Sequence, residues 1–199
     1  MPEKFEIPEK FENKDRVLQR IEWEKGEAIV RYVKEEEEDV DAIIDAVLSM
    51  RKVDAKKGKK DFIPLDDKNI EGIKREITDS QEGKMIVLVI EAEGSPRGFV
   101  EIRPESGDTA VVGGITVHEN YRRKHFGTAL LNNGILEAQR IFGAKKIELQ
   151  TDEDNEARGL YEECGFVEVP IDPKKYPLTK DRNDKTVNRI GYEKILEDN

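Results

Sequence analysis

The chain has 199 residues, 39% of them charged and 36% hydrophobic, and its 44 Asp and Glu against 34 Lys and Arg leave a formal net charge of −10. That length suits one domain with a real core; no apolar run approaches the ~18 residues of a membrane helix, and the start MPEKFEIPEK is too charged for a secretory signal, so a cytoplasmic protein without a membrane partner is expected. One cysteine (Cys164) and two histidines (His118, His125) exclude an intramolecular disulfide and argue against a metal site, while the acidic balance speaks against nucleic acid and for cationic partners.

Residues 1–27 read as an N-terminal extension to a domain spanning 28–199. Pro2-Glu3-Lys4-Phe5-Glu6 recurs as Pro8-Glu9-Lys10-Phe11-Glu12, two copies being too few for a repeat architecture, so an arm docked through Phe5, Phe11 and Trp23 or left in solvent is expected. Ala28 to Val33 is the first predicted strand. The acidic run Glu35 to Asp39 opens a helix, where negative charge suits the macrodipole. Val40, Ile43, Ile44, Val47 and Leu48 then form one apolar stripe. Lys56, Lys57, Lys59 and Lys60 around Gly58 read as a loop, and Asp66 or Asp67 caps a second helix carrying Ile70, Ile73 and Ile77.

Met85 to Ile90 is continuously apolar, the mark of a strand covered on both faces. Ser95-Pro96-Arg97-Gly98 reads as a turn, followed by strands Phe99–Arg103 and Thr109–Val117. The second contains Gly113-Gly114, a pair that inside a strand signals a bulge or a close backbone approach. A helix runs from Gly127 to Phe142 and stops at Gly143. Strand Ile147–Thr151, helix Glu156–Cys164, strand Phe166–Val169, a proline-bearing loop and strand Arg189–Leu196 complete the chain. The order predicts an α/β fold with a mixed, mostly antiparallel central sheet and helices on both faces.

Two segments carry chemistry. Val117 to Ala129 is a strand end, a basic loop and a helix start, where free backbone N–H groups and the helix dipole favour an anion; Arg122, Arg123 and Lys124 add positive charge. The second segment, Asp154 to Phe166, follows the next strand. Together they resemble the GNAT superfamily of acetyl-CoA-dependent N-acetyltransferases. The family's acyl-CoA loop, Gln/Arg-x-x-Gly-x-Gly/Ala, lines up with Arg122-x-x-His125-x-Gly127. Its later signature, Asn-x-x-Ala-x-x-Leu-Tyr-x-x-x-Gly-Phe, lines up with Asn155 to Phe166 through Ala157, Leu160, Tyr161, Gly165 and Phe166. The resemblance spans roughly residues 28–196. His125 replaces the first loop glycine, and Glu119 stands where a proline is common.

The resemblance implies the GNAT fold, with strand Thr109–Val117 splaying from strand Lys146–Thr151, and acetyl-CoA as co-substrate. Backbone in Ile115, Thr116 and Val117 then holds the pantetheine arm and the thioester carbonyl. Amides and side chains of Arg123, Lys124, His125, Phe126, Gly127 and Thr128, with Arg122, hold the pyrophosphate; Asn155 bonds the pantetheine or phosphate region. Tyr161 is the implied proton donor to the leaving thiolate. No carboxylate lies inside Thr109–Val117, so Glu101, on the neighbouring strand, is the candidate proton acceptor, with ordered water as the other route. The expected acceptor is a primary amine, cationic on electrostatic grounds, met beside the Lys56–Pro64 loop and the Pro170–Lys185 segment with Tyr176, Asp181 and Asp184; a homodimer is left open. A non-catalytic acyl-CoA-binding sensor or interaction module is the rival reading, supported by His125 and the missing strand carboxylate. A nucleotide-binding protein is disfavoured because no GxxxxGK[ST] loop exists.

Overall fold

The computed structural model describes residues 16–56, 64–171, 179–180 and 186–197. The chain runs through β1 (Val17–Trp23), β2 (Gly26–Tyr32), α1 (Glu37–Lys56), α2 (Asp67–Gln81), β3 (Ile86–Ala92), β4 (Ser95–Pro104) and β5 (Thr109–Val117). After a 3-10 turn at Glu119–Tyr121 come α3 (Phe126–Phe142), β6 (Lys146–Asp152), α4 (Arg158–Glu163), β7 (Val167–Val169), β8 (Thr179–Lys180), β9 (Thr186–Val187) and β10 (Arg189–Ile195). Eight strands make one sheet in the order β1-β2-β3-β4-β5-β6-β10-β7; β8 and β9 pair apart from it. Every neighbour in the large sheet is antiparallel except β5 and β6. Among the described residues no helix is long and apolar enough to cross a membrane.

β3 is apolar throughout because both of its faces are covered. Ile86, Leu88 and Ile90 join Val100, Ile102, Leu130, Leu131 and Ala138 in the larger core, under α3. Val87 and Val89 turn the other way and pack with Val40, Ile43 and Ile77 from α1 and α2. α3 lies so close to β4 that a Cβ at Gly134 would come within 2.8 Å of Ile102 Cδ1. As the sequence predicts, Asp66 caps α2, accepting from Asn69 N–H at 2.8 Å, and α3 ends at Gly143 in the left-handed region.

The acidic run at the start of α1 does more than match the dipole. Asp39 is buried and takes both ends of the Arg31 guanidinium at 2.7 Å, while also accepting from Lys34 N–H. Arg31 Nε donates to Glu91 at 2.8 Å. Burial opposes the charge on Arg31, but two carboxylates more than offset it and hold its pKa above the ordinary arginine value.

Three expectations differ from the structure. Val17–Trp23, read as part of an extension, is the edge strand of the sheet, and Trp23 packs against the main core. Ser95–Gly98, read as a turn, lies within β4. The reversal is at Glu93-Gly94, both with positive φ, as a two-residue hairpin of the I′ kind requires. Pro96 fits because the β3–β4 register shifts beside it, opening the ladder where a proline has no N–H to give. α4 is shorter than predicted, starting at Arg158. The tandem pentads with Phe5 and Phe11, residues Lys57, Lys59 and Lys60, and Tyr176, Asp181 and Asp184 lie outside the described residues.

Candidate functional site

The site begins where two strands part. β5 and β6 pair in parallel only at Thr109–Lys146, Ala110–Ile147 and Val111–Glu148. On the other edge of β5 the register with β4 slips: Glu101 pairs Gly114 and Ile102 pairs Val112, leaving Gly113 as the extra residue of a bulge. A bulge bends its strand and raises its twist, which carries the rest of β5 away from β6. The glycine makes room for the Glu101 carboxyl, which a Cβ on Gly113 would displace. The backbone of Ile115–Val117 thus faces an opening in the sheet with no strand paired to it on that side.

At the end of β5 the chain makes its 3-10 turn and two tight reversals. Arg123 and His125 both sit at φ +60°, the left-handed region that residues with a Cβ disfavour. The position where the family motif has glycine is thus one whose backbone suits glycine. α3 then starts without a side-chain cap, its first bond running from Ala129 N–H to His125 O. The N–H groups of Phe126, Gly127 and Thr128 precede that bond, so they have no helical acceptor. Arg122 Nε donates to Val117 O at 3.1 Å and ties the loop to the strand end.

A cavity of about 950 Å³ joins the opening to this helix start. Ile115, Thr116, Val117, Arg122, Arg123, His125, Phe126, Gly127, Thr128 and Asn155 all line it, together with Tyr161. Lys124 does not. It points the opposite way from its left-handed neighbours and pairs with Glu24 in the β1–β2 turn. At Gly127 a Cβ would stand 3.1 Å from Leu160 Cδ2, so the helix start packs closely on α4.

Tyr161 is buried, its ring 5.5 Å from that of Tyr192 and 6.3 Å from that of Phe166. Burial pushes its phenol up to about 12, against the pull of a hydrogen bond with Thr151, so it keeps its proton at neutral pH. Thr151 Oγ1 in turn accepts from Asn155 Nδ2 at 2.6 Å, and Asn155 Oδ1 accepts from Ala157 N–H at 2.9 Å. Counting back from Ala157, the Asn-x-x-Ala spacing falls on Asp154. Asn155 stands one residue later, where it orders the entry to α4 and braces Thr151 beneath the phenol. Sequence reading gives Asn155 a ligand and misses this link, which needs β6 and α4 side by side.

Glu101 lies outside the cavity lining. Alternation along β4 sends Val100 and Ile102 toward α3 and Glu101 toward α1 and α2. Its side chain is 13% exposed, over the Gly113 bulge, with Arg103 at 3.8 Å. Burial first, and the charge of Glu76 on α2 second, push its carboxyl up to about 7, against the opposing pull of Arg103. The cavity also takes Met50, Val53 and Asp54 from α1, with Met50 Sδ accepting from the Thr116 hydroxyl at 3.6 Å. Of these only Asp54 falls on the next turn of the Val40–Leu48 stripe, where a carboxylate interrupts the apolar pattern. His118 is structural: its Nδ1 accepts from Asn120 N–H at 3.3 Å in the 3-10 turn. Among the described residues no cluster of His, Cys, Asp and Glu is arranged to hold a metal ion.

A model of the acetyltransferase (GNAT) family matches residues 54–166, more than half of the chain. Among curated proteins nothing matches. Solved structures share the fold over most of their length. Ribosomal-protein-alanine N-acetyltransferase from Brucella melitensis is 20% identical, with a TM-score of 0.65 over 84% of this chain and 99% of its own. PaiA N-acetyltransferase from Thermoplasma acidophilum, solved in complex with coenzyme A, is 19% identical, with a TM-score of 0.60 over 85% and 99%. Ribosomal-protein-S18-alanine N-acetyltransferase from Escherichia coli is 19% identical, with a TM-score of 0.59 over 86% and 96%. At such identities the likeness is one of fold, an open and mostly antiparallel sheet between helices.

Because the Glu101 pKa is higher folded than unfolded, its stabilising share is full below about 4.5 and is lost as pH rises through about 7. Glu101→Gln is therefore expected to leave the melting temperature unchanged at pH 4 and to raise it at pH 8. From the shift, the gain at pH 8 is up to about 3 kcal/mol. Thermal unfolding at the two pH values checks this; an equal effect at both would refute it.

Proposed function

The chain belongs to the acetyltransferase (GNAT) family, and we propose that it transfers the acetyl group of acetyl-CoA to a primary amine by direct attack. The observation that carries this reading is a single cavity joining an open strand edge, an uncapped helix start with two arginines, and a protonated phenol. The residues suit the co-substrate: donors without helical partners for a diphosphate, and an unpaired strand edge for an extended amide-bearing arm. When bound, acetyl-CoA supplies an activated thioester.

The chain's own residues account for the rest. The N–H groups of Phe126, Gly127 and Thr128, with Arg122 and Arg123, hold the diphosphate. A main-chain N–H within Ile115–Val117 steadies the charge that grows on the acyl oxygen, a kind of contact worth about 2.7–4 kcal/mol. An amine of pKa ~10.4 must lose a proton before it attacks. Glu101, ionised above about 7, takes that proton directly or through a water. As the new C–N bond forms and the C–S bond breaks, Tyr161 gives its proton to the departing sulfur, and the second proton that the nitrogen sheds on becoming an amide restores the phenol.

The cavity wall supports a cationic acceptor. Besides the arginines it carries Asp54, Glu153, Asp154, Glu156 and Glu163, which draw positive charge toward the opening. A cytoplasmic location belongs to the same proposal. The rival, a non-catalytic acyl-CoA-binding module, draws on His125 in the loop and on Glu101 standing outside the cavity lining.

Three measurements test these roles. Isothermal titration is expected to show acetyl-CoA binding, weakened at least about tenfold by Gly127→Glu, which sets a carboxylate among the anion's donors and presses on Leu160; no binding by wild type at millimolar cofactor would sink the proposal. Tyr161→Phe is expected to cut turnover by about 100-fold while keeping cofactor affinity, whereas a binding module has no turnover to lose. With a cationic amine, kcat/KM is expected to rise with pH and level off above about 7 as Glu101 loses its proton, and Glu101→Gln to abolish that limb.

A further inference from the structure

The loop of Arg122–Phe126 has two sides. One faces the cavity; the other is gripped by the tip of the β1–β2 hairpin. Trp23 packs edge-on against Phe126, with ring centroids 5.5 Å apart, and tilts against Tyr121 at 5.7 Å. Tyr121 and Phe126 stack on each other at 6.3 Å. Lys124 lies 5.9 Å above the Trp23 ring and pairs with Glu24. The next hairpin residue, Lys25, pairs with Glu93 at 3.3 Å, and Glu93 accepts from the Tyr121 hydroxyl at 2.6 Å.

Trp23 therefore touches Tyr121, two residues before the first left-handed position, and Phe126, directly after the second. Left-handed backbone at Arg123 and His125 is disfavoured on its own and persists only where the surroundings over-determine it. The loop makes few backbone bonds of its own, and among the described residues the buried indole Nε1 has no acceptor, so the ring meets the loop through its apolar faces and edges.

We propose that Trp23 is a positioning residue for the cofactor loop, holding Tyr121 and Phe126 so that the backbone N–H groups between Arg123 and Thr128 stay turned toward the cavity. The proposal rests on the reading that this loop grips the coenzyme A diphosphate. Trp23 itself stays outside the cavity and contacts no substrate. The N-terminal strand thereby joins the functional unit, as a clamp on the back of the anion site.

Calorimetry with coenzyme A separates positioning from mere folding. A variant that only unfolds in part loses stoichiometry at an unchanged Kd; one with a slackened loop keeps one site per chain at a weaker Kd. Trp23→Leu, which keeps apolar bulk, is expected to bind about tenfold more weakly at full stoichiometry, and Trp23→Phe to stay within about threefold of wild type. A second measurement needs no variant. Trp23 is the one tryptophan of the sequence, so wild-type emission is expected to change with coenzyme A, half-saturating at the calorimetric Kd. A Trp23→Leu Kd within about twofold of wild type, a loss confined to stoichiometry, or an emission unchanged at saturation would overturn the clamp. Absence of binding by wild type would instead overturn the reading of the loop.

Discussion

The parting of β5 from β6 is the constraint on which the site depends. Parallel strands in the middle of a sheet normally pair along their length, because each buried N–H or C=O group left without a partner costs about 1–3 kcal/mol. Here pairing stops after three residues on each strand, and β5 continues for six residues more. The cause is local: one extra residue in β5, at a glycine whose missing side chain makes room for the Glu101 carboxyl. Bulge, opening and carboxylate are thus one feature, and a side chain at position 113 would disturb all three.

The second constraint is the backbone between β5 and α3. Two left-handed residues in three turn the chain so that the first N–H groups of α3 meet the cavity and not the sheet. Neither residue is glycine, so the turn must be held from outside, and the surrounding aromatic side chains come from both ends of the loop and from the β1–β2 hairpin. The shape of the loop rests on crowding behind it more than on bonds within it.

Much of this was legible in the sequence, for particular reasons. Gly113-Gly114 within an apolar strand signalled a bulge before any coordinates, and the spacing of Ala157, Leu160, Tyr161, Gly165 and Phe166 placed α4 and its phenol. Ten of the eleven residues read as cofactor-binding line one cavity. What escaped depends on neighbours distant in sequence. β1 is an edge strand whose exposed Gln19 and Arg20 fall side by side and break the alternation, so its pattern resembles an arm more than a strand. Lys124 has the right charge in the right loop, yet its direction is set by the left-handed turns beside it and by Glu24, a hundred residues earlier. The environment of Glu101 is likewise made by α2, which brings Glu76 to a strand it never adjoins in sequence.

The placement of Glu101 and Tyr161 on opposite sides of the sheet then takes on meaning. Tyr161 belongs to the core under α3 and α4, while Glu101 faces α1 and α2. In a closed sheet such groups could not serve one reaction. Under the proposed function the parting of β5 from β6 lets each handle the proton on its own side: the amine gives one up toward α1 and α2, and the sulfur receives one from α4. The environments push both pKa values upward, yet with opposite consequences. A phenol near 12 stays a donor, whereas a carboxyl near 7 becomes an acceptor that can still ionise at neutral pH. Burial is the largest cause in both. The acidic group becomes a base because burial is incomplete and Arg103 remains close enough to favour its charged form. That half-favoured charge weakens the fold at neutral and alkaline pH, and under the proposed function this is what a proton acceptor poised near neutrality costs in stability.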